Sequence, residues 1–285
     1  MRGYMRKMGV ELKDPVDYFL RLDEAEIHLN PYIGRRIQLV YHGNIECQHC
    51  GRASRKSYSQ GYCYPCFRKL AQCDLCVVSP ERCHYDQGTC REPDWGESFC
   101  MQPHLVYLAN SSGIKVGITR PSQIPTRWID QGAVQAIPIF EVDTRQQSGF
   151  VEVAFKHHIS DKTNWQRMLK TEDSYIDLKH SRDELMPEVN DELTTLRRRF
   201  GQNSIRFIED ADVQTIRYPV DRYPTSVTAM NFDKTPTVEG TLLGIKGQYL
   251  IFDTGVINLR RFTSYEIELV LLGETARTGE SLALF

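Results

Sequence analysis

The chain has 285 residues, 41% apolar and 25% charged, which is the composition of a globular protein long enough for two or three domains. No apolar run approaches the ~18 residues of a membrane span. The charged amino terminus is not followed by the apolar core of a secretory signal, so a cytoplasmic protein with no membrane partner is expected. The net charge of −2 conceals an asymmetry. Between positions 31 and 72 lie Arg35, Arg36, Arg52, Arg55, Lys56, Arg68 and Lys69, opposed only by Glu46, whereas 171–221 is acidic, with Glu172, Asp173, Asp183, Glu184, Glu188, Asp191, Glu192, Asp210 and Asp212. A basic stretch of this kind favours a polyanion partner.

Residues 1–46 read as an amino-terminal helix/strand segment, with a short helix at 17–25 and a strand at 37–41 ended by the turn His42-Gly43-Asn44. Residues 47–101 hold all nine cysteines among many turn formers, so little regular structure is expected there. In 102–170 two β-rich runs, 105–109 and 114–118, flank the turn Asn110-Ser111-Ser112-Gly113, which is a hairpin pattern. A short helix near 126–131, a strand at 136–142 and a helix over 149–159 follow. The acidic segment 171–212 contains a helix at 181–199, where Leu185, Val189, Leu193 and Leu196 share one face, Arg197–Arg199 suit the helix carboxyl end and Gly201 is the stop. From 213 to 285 the pattern is β, with runs at 238–245, 248–252 and 255–259. The runs 36–43 and 241–247 resemble each other, so the two chain ends are candidates for one shared sheet.

Cysteines in a cytosolic chain point to metal rather than disulfides. Cys47-Gln-His-Cys50 and Cys63-Tyr-Pro-Cys66 are two C-x-x-C pairs, and four thiolates complete a tetrahedral zinc shell. Gly51 stands where such a turn requires a positive φ. A third pair, Cys73-Asp-Leu-Cys76, is followed by Cys83, Cys90 and Cys100, with His84 and His104 nearby. These suffice for a second site of open ligand choice, holding zinc or an iron–sulfur cluster. Protein thiols fill each expected shell, so zinc has a structural role. Arg52, Arg55, Lys56, Arg68 and Lys69, interleaved with Tyr58, Tyr62, Tyr64 and Phe67, suit phosphate contacts and base stacking, and equally a solvated face.

The segment 104–165 carries Leu105-Val106-Tyr107, Lys115-Val116-Gly117-Ile118-Thr119, then Arg127 and Glu152. In order and spacing these resemble the GIY-YIG nuclease domain, in the branch whose second motif reads lysine-isoleucine-glycine. The whole chain also resembles an uncharacterised bacterial family of unknown function in which a cysteine module precedes such a hairpin. The resemblance implies an α+β fold: a small mixed sheet with flanking helices, preceded by a zinc-ribbon-like module and followed by helices and a small antiparallel β domain. It further implies that Tyr107, Lys115, Arg127 and Glu152 are catalytic. Phosphodiester hydrolysis needs an activated water, a cation for the developing charge and a stabilised leaving oxygen. Tyr107 would position or deprotonate the water, its pKa lowered by the Lys115 ammonium. Arg127 would bind phosphate oxygens, Glu152 would hold Mg²⁺ or Mn²⁺, and His157 or His158 would assist proton transfer. Lys115 stands where many members have a second tyrosine, and Asn164 matches only loosely the late asparagine of some. Two functions are therefore expected as alternatives. One is a nucleic-acid-binding, metal-dependent nuclease for DNA or RNA; the other is a non-catalytic or ribosome-associated zinc protein that uses the same fold for docking. The sequence leaves oligomeric state and the role of the last β region open.

Overall fold

The amino-terminal residues form four short strands, β1 (Arg2–Tyr4), β2 (Gly9–Glu11), β3 (Asp17–Leu22) and β4 (Ala25–His28). The expected helix at 17–25 is therefore a hairpin. Tyr18, Leu20 and Leu22 are buried, alternating with half-buried Asp17 and Phe19 and exposed Arg21. That period of two belongs to a strand, and Asp23, at φ 50°, makes the turn. β2, β3 and β4 make a three-stranded antiparallel sheet. The structure, a computed structural model, describes residues 1–170 and 174–272. Glu172 and Asp173 of the acidic segment, and the last 13 residues of the carboxyl-terminal region, lie outside the described residues. Among the described residues no helix is long and apolar enough to cross a membrane.

β5 (Arg36–Ile45) continues through the expected turn at 42–44. Gly43 has φ 85°, and the pairing with the last strand skips from Tyr41 to Ile45, so the turn residues form a bulge inside a longer strand. The cysteine-rich stretch has only short elements, including α1 (Tyr64–Lys69) and α2 (Pro93–Phe99). β6 (His104–Asn110) and β7 (Ile114–Thr119) are the hairpin, followed by α3 (Thr126–Asp130) and β8 (Gln135–Val142). α4 (Arg145–Lys156) starts four residues before the expected helix because Thr144 and Gln147 form a reciprocal capping box. After α5 (Trp165–Met168) come α6 (Leu178–Glu188) and α7 (Asn190–Phe200), two helices where one was expected at 181–199. Pro187 lacks the N–H that a continuous helix needs, and the chain breaks at Val189. β9 (Ile205–Phe207), β10 (Gln214–Thr215), β11 (Thr237–Lys246), β12 (Tyr249–Phe252), β13 (Gly255–Asn258) and β14 (Tyr265–Leu271) complete the described chain.

A six-stranded antiparallel sheet runs in the order β1-β14-β5-β11-β12-β13. Thr241 pairs with Arg36 and Thr237 with Val40, so the two similar runs do lie in one sheet, joined there by strands from both chain ends. The central sheet has the order β10-β8-β6-β7, with β9 also on β8. Every neighbouring pair in it is antiparallel, which corrects the mixed sheet expected: β8 lies beyond β6 from β7, so strands of equal direction are never adjacent.

The two faces of the central sheet belong to different cores. Val106, Leu108 and Val116 pack with Val151 and Phe155 of α4 and with Leu178 and Leu193 of α6 and α7. Tyr107 and Ala109 point the other way, into a core shared with Trp128, Ile129, the amino-terminal hairpin and the six-stranded sheet. The hairpin is thus clamped between two apolar layers, each large aliphatic side chain contributing ~1.5–3 kcal/mol of burial.

Candidate functional site

Four thiols form the tightest cluster of potential ligands. The sulfurs of Cys47, Cys50, Cys63 and Cys66 lie within 4.8 Å of one another, and Cys50 and Cys63 are 3.8 Å apart. Tetrahedral zinc with Zn–S bonds of ~2.3 Å sets its sulfurs ~3.8 Å apart. Each pair sits on a knuckle. The Gly51 N–H donates to the Cys47 carbonyl at 2.9 Å with Gly51 at φ 67°, and Cys63 leads directly into α1, with Pro65 in its first turn. Burial alone would raise the Cys47 thiol, but the backbone N–H groups of Cys63, Cys50 and His49 pull it down to about 6, towards the thiolate that a metal binds. These four cysteines could hold a metal such as zinc.

The remaining thiols divide differently from their sequence pairing. Cys73 faces Ser59 and the first cluster. Cys76, Cys83, Cys90 and Cys100 instead line one small cavity beneath Trp95. The Cys76 thiol donates a hydrogen bond to Cys83 and holds it down to about 6. The ligand atoms of Asp74, Cys76 and His84 also lie within 4.8 Å of one another, yet Asp74 is engaged by the Arg91 guanidinium at 2.6 Å. His104 lies apart, fully buried with Nδ1 2.8 Å from the Gln102 carbonyl, and burial lowers it to about 4, so it is neutral.

In the hairpin, Tyr107 is opposite Gly117 and Lys115 is opposite Ala109, which puts both polar side chains on one face of the sheet. Gly117 is there for space: a Cβ would stand 2.6 Å from the Tyr107 hydroxyl and 2.7 Å from its Cζ. Tyr107 is wholly buried and its hydroxyl donates to Gln131 Oε1 at 3.0 Å. Burial raises its pKa, with the nearby Arg127 guanidinium opposing, so the Lys115 ammonium does not lower it as expected. Lys115, 4% exposed, donates from Nζ to Thr163 Oγ1 at 2.8 Å, and burial, reinforced by Arg127, brings its pKa down to about 7.

Arg127 is the exposed member of this group. It rides on α3, whose Trp128 and Ile129 are buried and whose Asp130 is tied to Lys7 and accepts from Gln248 Nε2 at 2.8 Å. Two distant parts of the chain, at Lys7 and Gln248, therefore hold its helix in place. Glu152 projects from α4 with its side chain 12% exposed. Burial raises its pKa against the pull of Lys156, which is 3.1 Å away and also 3.1 Å from Asp161. Arg127 acts electrostatically on Tyr107, Lys115 and Glu152, so the four residues singled out from the hairpin pattern occupy one charged neighbourhood. The accessory residues do not join it. His157 lines a groove between α4 and α7, His158 is 4.0 Å from Glu188, and Asn164 caps α5 through the Arg167 N–H.

The basic residues of the cysteine module are all exposed: Arg52, Arg55, Lys56, Arg68 and Lys69. None of them lines the cleft that the module shares with the end of β7. A different arginine set does so, Arg120, Arg127, Arg145 and Arg260, in a cleft of about 490 Å³. Nothing in local sequence groups these four, since they are spread between positions 120 and 260. The capping box at 144–147 and the positions just after the β7 and β13 strands are the available signals.

No curated protein and no solved structure matches the chain. A family described as "Protein of unknown function (DUF2797)" matches residues 34–267, which runs from before the cysteine module to the last strand, and the chain belongs to that family.

Proposed function

We propose that this chain is a nucleic-acid-binding protein whose hairpin domain is a GIY-YIG-like, metal-dependent phosphodiester-cleaving centre and whose zinc is structural. The observation that carries the reading is the position of Arg127, exposed yet in electrostatic reach of Tyr107, Lys115 and Glu152. Arg127 binds the phosphate oxygens with its bidentate fork. Lys115, with a pKa of about 7, is the group of the four able to accept a proton at neutral pH, a role that un-ionised Tyr107 does not fill. Tyr107 braces the sheet over Gly117. Glu152 would hold a Mg²⁺ or Mn²⁺ ion, which when bound supplies charge neutralisation at the phosphate.

Cys47, Cys50, Cys63 and Cys66 would hold one zinc, while Cys76, Cys83, Cys90 and Cys100 line a second thiol cavity in which the close ligand group is Cys76 with Asp74 and His84. The second group is tied to α4: Arg145 Nη2 donates to the Val77 carbonyl at 2.6 Å and Gln146 Nε2 to the Cys83 carbonyl at 2.9 Å. A Cβ on Gly149 would stand 2.5 Å from the Glu81 nitrogen, so helix and module are in direct contact. A metal there would brace the helix that carries Glu152.

The docking alternative is favoured by one observation: Lys115 and Tyr107 are sealed and Glu152 is already paired with Lys156. Incubation of the zinc-loaded protein with end-labelled single-stranded, duplex and branched DNA and RNA, with and without Mg²⁺ or Mn²⁺, separates the two. Cleavage that needs the added ion and falls at least 100-fold in Glu152→Gln and in Arg127→Ala, with zinc content unchanged, is the expected result. Intact substrates throughout, with binding retained, overturn catalysis and leave the docking reading.

A further inference from the structure

The cleft between the cysteine module, the end of β7 and the segment after β13 gathers positive charge from several elements, and of its arginines Arg145 also faces the Cys100 and Cys76 thiols. Four guanidinium groups line it: Arg120, Arg127, Arg145 and Arg260. No aspartate or glutamate lines it, and among the described residues none of the four is within ion-pairing distance of a carboxylate. Each of three is held instead by a neutral partner. Arg145 donates to the Val77 carbonyl, Arg260 Nε donates to Gln60 Oε1 at 2.6 Å, and Arg120 stacks 4.6 Å above the centre of the Phe99 ring. Arg145 and Arg260 are half-buried, and the Arg145 Nε–H has no acceptor.

Like charges gathered in a partly desolvated cleft repel, and an unpaired buried cation is costly to keep. Such an arrangement is stable in function only with an anion supplied from outside. Elsewhere on the molecule arginines of comparable position do have carboxylate partners: Arg206 is 2.6 Å from Asp143, and Arg91 is 2.6 Å from Asp74. A groove of about 570 Å³ between α4 and α7 is rimmed by Glu188, Asp191 and Glu192 and repels the same ligand. The absence of acids from the lining of the arginine cleft is thus local.

We infer that this cleft binds the phosphate backbone of a nucleic-acid strand, leading it from the cysteine module past Arg120, Arg145 and Arg260 to Arg127. Neutral donors on the module wall, Gln48, Gln60 and Gln72, and the Tyr62 ring suit sugar and base contacts along the same strand. The cleft volume matches a nucleotide unit rather than a folded protein segment. The inference rests on the nucleic-acid reading above but not on cleavage.

The test uses the full-length, zinc-loaded Glu152→Gln protein, which removes turnover, and fluorescein-labelled single-stranded DNA and RNA read by anisotropy over a range of salt. Arg260→Gln and, separately, Arg120→Gln are compared with Arg52→Gln/Arg55→Gln. Each cleft substitution is expected to weaken binding at least fivefold at low salt and to reduce the salt slope by ~0.7, the value for one lost phosphate contact on a single strand. The module-surface pair should change both less. Unchanged affinity and slope in Arg120→Gln with unchanged circular dichroism overturns the inference, even if the protein cleaves nucleic acid. Displacement of the oligonucleotide by pyrophosphate at equal phosphate concentration also overturns it, in favour of a small-anion site. Cleft-dependent binding by a wild-type protein that cuts nothing leaves the inference standing and removes the catalytic reading.

Discussion

The thiol cluster and the charged hairpin centre are neighbours built on opposite plans. The four sulfurs of the first cluster come from 20 consecutive residues, 47–66, on two knuckles whose backbone hydrogen bonds are largely their own. The charged centre draws Tyr107 and Lys115 from a sheet, Arg127 from a short helix held by Lys7 and Gln248, and Glu152 from another helix. A local cluster depends on its ligand. A distributed one depends on the packing of everything around it, and the two should fail differently.

The sharpest break is removal of a thiol. Cys63→Ser should lose the metal of the first cluster and unfold the module, because structural zinc contributes on the order of 10 kcal/mol to small zinc domains and residues 47–70 bury few apolar side chains. Zinc analysis and limited proteolysis of the stretch 47–70 check this. The central sheet should keep its protection, and its simultaneous collapse would contradict the independence of the two regions.

Next in size is the cost of the buried Lys115 amine. Its pKa is about 7 in the fold and 10.5 in the ordinary chain. Between those values the unfolded chain carries a proton that the folded one lacks, so this residue makes stability rise with pH, by up to ~1.4 kcal/mol per unit. Below pH 7 both states are protonated and the full cost of a buried ammonium applies. Lys115→Met should therefore stabilise the protein most at pH 6 to 7, with the advantage shrinking by pH 10. Urea unfolding of both proteins across that range measures the difference, and parallel curves would mean that Lys115 is not desolvated.

Smaller still is Gly117→Ala. The added methyl would meet the Tyr107 ring at under 3 Å, and the ring has no free side to move to. Overpacking of this kind costs ~1–3 kcal/mol. Denaturant midpoints should shift without loss of zinc; a neutral result would show that the Tyr107 ring can yield, and that the hairpin face is softer than its burial suggests.

Much of the local structure was legible. The hairpin turn at 110–113, the strands on either side, the β11–β5 relation and the gathering of the four thiols at 47–66 all follow from turn chemistry, alternation and C-x-x-C spacing. The failures also have local causes. At 17–25 alternating Tyr18, Leu20 and Leu22 outweighed a helical reading, at 42–44 a bulge replaced a turn, and Pro187 divided a helix whose apolar face had looked continuous. The Thr144–Gln147 capping box was present in the sequence as a start signal for α4.

What the sequence by itself determined is the set of contacts whose partners lie within a few residues: knuckles, caps, the hairpin and the ligand pairs at 47–66. Tertiary structure alone decided that Cys73 and Cys76 part company, that Tyr107 is sealed, that Lys115 is desolvated, and that Arg120, Arg127, Arg145 and Arg260 share one cleft. The reason is physical. Spacing fixes which side chains leave the backbone together, but burial and charge environment depend on what packs against them from far along the chain, and no local period encodes that.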